Sequence, residues 1–231
     1  MNRSSAYPSM EYELTTLPID LPVIGLNPAQ ARTYDFGKRV IDLVGSASIL
    51  VFSLPIFLMI AVAIKMSSKG PVIFRQRRLG RDGKIFLCCK FRTMIRDAES
   101  TLASDQELSA QFDSNFKIKK DPRVTNIGGL LRRSSLDELP QLWNVLRGEM
   151  SLIGPRPIIE PELAKYGGYG SRLLTVKPGL GGLWQVSGRS DTTYPERVAM
   201  DMCYIDSRSL FQDLRLIVRT ALVVLRGRGA Y

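Results

Sequence analysis

The chain has 231 residues, 45% of them apolar, which is enough to bury one sizeable hydrophobic core. Its 32 Lys and Arg residues outnumber 22 Asp and Glu residues, giving a formal net charge of +10, and it contains three cysteines and no histidine. These counts exclude a disulfide framework, the usual zinc ligands and the Ser-His or Cys-His nucleophile pairs, so any catalysis must rest on carboxylates, Lys, Tyr or a hard metal ion.

The first part of the chain, residues 1–33, is rich in Ser, Thr, Pro and acidic residues and has no helical periodicity. It also lacks the basic start and the following apolar run that mark a signal peptide. We therefore predict a flexible N-terminal tail over residues 1–33.

A long apolar segment follows, in which the 25 residues 40–64 carry one charge, Asp42. As a helix it is long enough to cross a hydrocarbon core of about 30 Å. Ser53 and Pro55 fall in its middle, where proline removes a helical hydrogen bond, and basic residues flank both ends. We therefore predict a re-entrant (monotopic) membrane helix over residues 34–66 with its break at Ser53 and Pro55. A straight spanning helix and a buried helix of a soluble protein are the alternatives.

A basic block comes next, with ten Lys or Arg residues and one acid between Lys65 and Arg96. Such blocks bind nucleic acid, anionic lipid or phosphorylated ligands. Its place beside a membrane helix favours lipid and phosphate, and it offers few aromatic residues for stacking on bases, so we predict no nucleic-acid partner. Within the block, residues 71–74 and 84–87 predict two short strands joined by a turn at 81–83.

The remaining elements are mostly helical. Residues 94–112 are rich in good helix formers and predict a surface helix, and 117–125 predict a loop. Apolar residues recur at helical spacing over 210–225, which predicts a C-terminal amphipathic helix that packs on the core or lies on the membrane. The predicted fold is α+β and mainly helical, with a single catalytic domain over residues 67–231.

Two adjacent carboxylates, Asp137 and Glu138, lie where the sequence changes from basic to acidic. One interpretation is a capping box, with Ser135 three residues before Glu138 at a helix start. The other is catalytic, because free N–H groups at a helix start can hold a phosphoryl group. One carboxylate could then attack phosphorus and become an acyl phosphate, while the other, with phosphate oxygens, holds Mg²⁺.

Three arginines are candidates for binding phosphate. Arg132 precedes the acidic pair, Arg156 stands between two prolines, and Arg189 follows a glycine-rich stretch. Arg binds phosphate oxygens in pairs, so these residues would form a diphosphate site if the fold brought them near Asp137. Taken singly, each could equally be a solvated surface charge.

Together these passages resemble the small monotopic phosphoglycosyl transferases of the bacterial sugar transferase family. The resemblance runs from about Tyr34 to Tyr231 and depends on many short strings in the right order. These strings are Lys38-Arg39, residues 68–72, 76–80, 90–94, 121–123, 135–142, 154–157, 177–180, 184–189 and 201–205.

The resemblance implies that Asp137 is the nucleophile that forms a phosphosugar-aspartate with release of UMP. It also implies that Glu138 is the partner carboxylate that binds magnesium. Substrate-binding positions implied by the matching strings are Arg132, Arg156, Arg189, Lys90 and Arg92.

The resemblance implies an enzyme that transfers hexose 1-phosphate from UDP-galactose or UDP-glucose to undecaprenyl phosphate. This is the first step of exopolysaccharide or glycoconjugate assembly. The implied partners are the UDP-sugar, undecaprenyl phosphate and inner-membrane lipid. The catalytic domain is expected on the cytoplasmic face of the bacterial inner membrane. Whether the protein forms a homo-oligomer is left open. Larger relatives carry an extra membrane region ahead of this part, so the chain resembles the minimal form. A membrane-associated basic binding or scaffold protein without catalytic activity is the alternative.

Overall fold

A computed structural model describes residues 28–115, 118, 121–187 and 192–225. This part of the chain is mainly helical, as predicted. Its helices are α1 Pro28–Ser67, α2 Ala98–Ser104, α3 Gln106–Asn115, α4 Asn126–Ser134, α5 Gln141–Leu146, α6 Gly170–Leu173, α7 Leu183–Ser187, α8 Tyr194–Ser207 and α9 Leu210–Leu225. Its strands are β1 Ile73–Leu79, β2 Ile85–Phe91, β3 Ser151–Ile153 and β4 Gly179–Gly181, and short 3₁₀ segments lie at Arg81–Gly83, Leu136–Glu138 and Glu160–Tyr169.

Helix α1 is 40 residues long and begins at Pro28, so the last six residues of the predicted tail are helical. Proline suits the first helical position because the N–H that it lacks would have no partner there. The rest of the predicted tail lies outside the described residues. Helical backbone continues through Ser53 and Pro55, and the bend predicted at these residues stays a prediction.

The predicted hairpin is confirmed, with longer strands than expected. β1 and β2 pair antiparallel and the turn between them places Asp82 at φ 59° and Gly83 at φ 71°. The surface helix predicted over 94–112 is instead two helices, α2 and α3. The break occurs because the Asp105 carboxylate accepts a hydrogen bond from the N–H of Leu108 at 3.0 Å and so starts a new helix.

Both ends of α1 pack on the rest of the protein. Near its C-terminal end, Ile60 and Ile64 are buried with Phe91 of β2 and Leu131 of α4. Near its N-terminal end, the Tyr34 hydroxyl and the Lys38 ammonium approach one carboxylate oxygen of the buried Asp213 in α9 at 2.8 and 2.9 Å. The helix therefore lies along the domain instead of projecting from it.

Two further charged side chains of α1, besides Lys38, face the domain. Arg39 donates from its two terminal nitrogens to the backbone carbonyls of Val145 and Leu146, each at 2.7 Å. These two bonds tie α1 to the C-terminal end of α5, where the Val145 carbonyl also accepts from the Gly148 N–H at 2.9 Å. Asp42 is buried and accepts hydrogen bonds from the Ser151 hydroxyl and the Leu152 N–H, both at 2.9 Å. The one charged side chain in the apolar segment therefore contacts the protein and does not lie on the exposed side of the helix.

We expect Asp42→Ala to destabilise the fold by about 2–4 kcal/mol, because a buried hydroxyl and a buried N–H lose their acceptor. The midpoint of thermal unfolding in a fixed detergent should fall by roughly 5–15 °C. Asp42→Asn keeps one acceptor oxygen and should lower the midpoint less. Equal midpoints for the two variants would contradict this account of Asp42.

The outward side of α1 is apolar and exposed. Its exposed large side chains include Phe36, Val40, Val44, Val51, Phe52, Leu58, Met59, Val62 and Met66. In α9, Asp213 and Leu216 are buried against the core, whereas Phe211, Leu214, Val218 and Leu222 are exposed. Such large exposed apolar faces mark a surface that contacts lipid or another protein.

Candidate active site

Asp137 and Glu138 lie in the short 3₁₀ segment Leu136–Glu138, between α4 and α5. The chain reverses at Ser135, which has left-handed backbone angles of φ 57° and ψ 14° and ends α4. The Ser135 side chain makes no capping hydrogen bond. The capping-box interpretation is therefore wrong, since a residue that closes one helix in this conformation cannot also present its hydroxyl to the next.

The hairpin is joined to α5 just beyond the acidic pair. The Asn144 side chain accepts from the Cys89 N–H at 2.9 Å and donates to the Leu87 carbonyl at 2.8 Å. These two bonds fix strand β2 against α5. As a result Lys90 of β2 reaches Glu138, and its Nζ lies 2.7 Å from Glu138 Oε1.

Arg132 approaches the acidic pair from α4. This helix begins with Thr125 as its cap and packs so closely on Thr93 that a Cβ on Gly128 would lie 2.0 Å from the Thr93 carbonyl oxygen. Only glycine allows this contact. The contact lets Arg132 donate from Nε to the Thr93 hydroxyl at 3.0 Å, with its guanidinium beside Asp137.

The two carboxylates have opposite electrostatic environments. Burial and the neighbouring Glu138 charge raise the pKa of Asp137 to about 6, against the opposing effect of Lys90 and Arg132. Burial also acts to raise the pKa of Glu138, but Lys90 and Arg156 outweigh it and hold that pKa below its ordinary value. Glu138 is thus the more firmly charged member of the pair, and Asp137 is the poorly solvated one.

Arg156 follows β3 in a loop that is held by the chain around β4. The Gly179 N–H donates to the Pro155 carbonyl at 2.7 Å, and the Gly154 N–H donates to the Gly181 carbonyl at 2.9 Å. The Arg156 guanidinium lies over the Trp184 ring, 5.6 Å from its centre, and is close enough to Glu138 to lower its pKa. The loop in which two prolines flank Arg156 therefore brings this arginine near the acidic pair.

The structure brings Lys90, Arg132 and Arg156 together around Asp137 and Glu138 but places Arg92 elsewhere. Arg92 is buried and donates to the Ser68 carbonyl at 2.8 Å and to the Ser68 hydroxyl at 2.9 Å, at the end of α1. That contact suits an arginine that closes a helix C-terminus. Arg189 lies outside the described residues.

The sequence profile described as bacterial sugar transferase matches residues 33–227, most of the chain. This chain belongs to the bacterial sugar transferase family. It is 46% identical over 200 residues to the UDP-galactose-lipid carrier transferase of Erwinia amylovora, covering 85% of this chain and 42% of that protein. It is 45% identical over 210 residues to the undecaprenyl-phosphate galactose phosphotransferase of Salmonella typhimurium, covering 89% and 44%.

A third relative in the bacterial sugar transferase family is closer to this chain in length. The exopolysaccharide production protein ExoY of Rhizobium meliloti is 44% identical over 199 residues, covering 84% of this chain and 88% of that protein. The chain therefore spans less than half of the first two relatives and most of the third.

Magnesium, which the sequence predicted at Glu138, stays a prediction for this family member. Within residues 28–115, 118, 121–187 and 192–225, no three Asp, Glu, Cys or His side chains gather as a metal site. Mg²⁺ commonly takes one or two protein carboxylates and completes its shell with water and substrate phosphate oxygens. The adjacent carboxylates of Asp137 and Glu138 fit that mode of binding, with the substrate supplying the other ligands.

The sequence analysis of this sugar transferase missed a second cluster of polar side chains near Arg156, formed by Asp201, Tyr166 and Arg197. Asp201 of α8 is buried and accepts a hydrogen bond from the Tyr166 hydroxyl at 2.8 Å. Arg197, one turn earlier in α8, lies over the rings of Trp184 and Tyr194 at 4.6 and 5.2 Å. The available signal was the Thr193–Glu196 capping box, which fixes the start of α8 and so the position of Arg197 in its first turn.

Asp201 should make the stability of this sugar transferase depend on pH. Burial raises its pKa from an ordinary 3.8 to about 7. Between these values the folded state holds a proton that the unfolded state has released, so the free energy of unfolding should fall as pH rises through that window. Asp201→Asn keeps the acceptor for Tyr166 but cannot ionise. We expect the variant to match the native protein only below about pH 4, and to unfold at an increasingly higher temperature than the native protein as pH rises to about 7. Parallel curves would contradict this assignment.

Proposed function

We propose that this chain transfers hexose 1-phosphate from a UDP-sugar to undecaprenyl phosphate, releasing UMP and leaving an undecaprenyl-diphospho-sugar. The family supports an enzyme of this kind, and two of its relatives are named for UDP-galactose or galactose and for a lipid carrier. A galactose or glucose donor is the substrate that we would test first. The name of the ExoY relative, an exopolysaccharide production protein, supports a role in exopolysaccharide assembly.

The observation that carries the proposal is the buried carboxylate of Asp137 inside a ring of cations. Its neighbour Glu138 is held by Lys90 at 2.7 Å, Arg132 of α4 lies near Asp137, and Arg156 of the loop after β3 lies near Glu138. A poorly hydrated carboxylate is a stronger nucleophile, and the cations draw in a diphosphate and stabilise the charge that develops on it.

In the first half-reaction, an Asp137 oxygen attacks the sugar-linked phosphorus of the UDP-sugar. The bond from that phosphorus to the bridging oxygen breaks, and the bonding electrons leave with UMP. In the second, an oxygen of undecaprenyl phosphate attacks the same phosphorus, the bond to Asp137 breaks, and the carboxylate is restored. Bound Mg²⁺, with Glu138 as its protein ligand, would neutralise charge on the leaving phosphate. Neither half-reaction needs a histidine.

The contacts of α1 support a monotopic attachment. A helix crossing the bilayer straight would place its ends on opposite sides, where they could not both pack on one folded body. Here Tyr34 and Lys38 at one end, and Ile60 and Ile64 at the other, contact the same domain. We infer that the exposed side of α1 enters one leaflet, that the apolar side of α9 lies on the same surface, and that residues 67–231 face the cytoplasm.

The test is UMP release by the purified protein in detergent with Mg²⁺ and a panel of UDP-sugars, with and without undecaprenyl phosphate. Without lipid, we expect one UDP-sugar to release at most one equivalent of UMP per enzyme. With lipid, we expect that UDP-sugar to be turned over repeatedly. Mass spectrometry should find a hexose phosphate on the peptide that contains Asp137. If no sugar yields UMP, the proposed function fails; if UMP appears only with lipid and no peptide is modified, the aspartyl intermediate fails.

A further inference from the structure

Arg156 and Arg197 share one aromatic side chain, Trp184. Their guanidinium carbons lie 5.6 and 4.6 Å from the centre of its ring, and Arg197 also lies over Tyr194. Both arginines are half-buried and Trp184 is buried. The two cations come from different parts of the fold, the loop after β3 and the first turn of α8, so their approach is a product of the tertiary structure.

Neither guanidinium has a direct polar partner in the described part of the chain. No hydrogen bond or ion pair joins Arg156 or Arg197 to a described residue, and the Nε of Arg197 is buried without a partner. The nearby carboxylates are used elsewhere, since Asp201 binds Tyr166 and Glu162 lies 3.6 Å from Arg78. Burial, and next to it the charge of Arg156, lower the pKa of Arg197. Two half-buried guanidinium groups without a direct hydrogen-bond or ion-pair partner among the described residues are an arrangement that an anion would stabilise.

The geometry of phosphoryl transfer indicates which anion this is. Attacking and leaving oxygens lie roughly in line at the transferred phosphorus. When Asp137 attacks from one side, UMP leaves on the other, and the lipid phosphate must later enter from the side that UMP vacated. Arg156 is close enough to Glu138 to lower its pKa, and it shares the Trp184 ring with Arg197. One member of the arginine pair therefore lies beside the acidic pair.

We propose that Arg156 and Arg197, held on Trp184, form one phosphate site that binds the UMP phosphate as it leaves and the lipid phosphate as it arrives. Arg197 is then a substrate-binding residue of the enzyme. The proposal is built on the transfer reaction described above, and it adds that the two half-reactions use the same phosphate contacts. Phosphate monoester is the shared chemistry of the two ligands.

The chain offers a direct optical probe of this site. It has two tryptophans, of which Trp143 is 55% exposed on α5 and Trp184 lies in the proposed site. A Trp143→Phe background leaves Trp184 as the only indole, so its fluorescence reports ligands at the arginine pair. Adding Asp137→Asn prevents turnover during the titration. The ligands are UMP, uridine as the control without phosphate, and polyprenyl phosphate in detergent with polyprenol as its control.

In that background we expect UMP, but not uridine, to change the Trp184 signal, and polyprenyl phosphate, but not polyprenol, to displace UMP. Arg197→Gln should weaken UMP binding by about 10- to 100-fold, the loss typical of a charge-assisted phosphate contact. Arg197→Lys should lie between. Lys165→Gln is the matched control, because it removes a cation that lies over the Tyr194 ring, 5.1 Å from its centre, and it should bind UMP normally.

Kinetics with Asp137 intact complete the test. For a double-displacement enzyme, kcat/KM for each substrate reports its own half-reaction, and we expect Arg197→Gln to lower both values by similar factors. Unchanged UMP binding in Arg197→Gln, with an unchanged emission spectrum showing that the fold is intact, would overturn the proposal. So would a loss confined to one half-reaction. A native protein that releases no UMP from any sugar would instead refute the transfer reaction itself.

Discussion

Asp137→Asn is expected to reduce UMP release by about 10⁴-fold or more, the scale of loss found when a nucleophile is removed. The amide has nearly the same shape as the carboxylate, so the buried position in Leu136–Glu138 should stay folded, but its oxygen cannot form the bond to phosphorus. The measurement is the burst of UMP from the preferred UDP-sugar without lipid. The hexose phosphate adduct on the protein should disappear together with the burst.

Two further carboxylate variants make the Asp137 result specific. Glu138→Gln keeps the nucleophile but removes the more firmly charged partner, so we expect a smaller loss, on the order of 10²–10³-fold, and a residual adduct. Glu99→Gln changes an exposed carboxylate on α2 and should behave like the native protein. An Asp137→Asn protein that kept a few per cent of native activity would rule out attack by this side chain.

Lys90→Met is expected to lower the rate of UMP release at pH 7 by about 10- to 100-fold and to shift the pH profile. In the native protein the rate should rise with pH through the pKa of Asp137, about 6, because the nucleophile must lose its proton. Lys90 lowers the pKa of both Asp137 and Glu138, so its removal raises both. The rising limb of the profile should therefore move to higher pH, with part of the lost activity recovered near pH 9.

The hairpin offers matched controls for Lys90. Lys90→Arg keeps a cation and should leave the rising limb of the pH–rate profile near its native position. Lys84→Met removes an exposed cation at the hairpin turn and should change neither the rate nor the limb. A Lys90→Met enzyme that is slower by the same factor at every pH would mean that Lys90 acts on the substrate and not through the two carboxylates.

Local patterns in the sequence were sufficient to predict the helices and strands whose formation depends on neighbouring residues. The apolar run gave α1, and the turn at Arg81–Gly83 gave the hairpin, because each is specified by neighbours along the chain. Asp105 was a missed local signal, since an aspartate followed by helix formers is a helix start. Ser135 misled because a serine before an acid has the same spacing whether it opens a helix or closes one in the left-handed conformation.

The composition of the site could be predicted only in part. Asp137, Glu138, Arg132 and Arg156 were named from motifs, yet what joins them is tertiary: Lys90 reaches Glu138 across 48 positions because Asn144 fixes β2 to α5. Arg92 shows the opposite outcome, because its string matched the family but its guanidinium closes α1. The capping box places Arg197 in the first turn of α8, but its approach to Trp184 depends on how α8 packs against α7.

The two bonds from Arg39 to the carbonyls of Val145 and Leu146 bear on how this protein can be engineered. Deleting α1 to obtain a water-soluble form would remove more than an anchor, since it would also strip the donor from the end of the helix that follows the acidic pair. It would likewise remove Tyr34 and Lys38 from Asp213, and the Asp42 acceptor from the Ser151 hydroxyl and the Leu152 N–H. A soluble version is better sought by replacing outward residues such as Phe52 and Met59 with polar ones while the inward face of the helix is left intact.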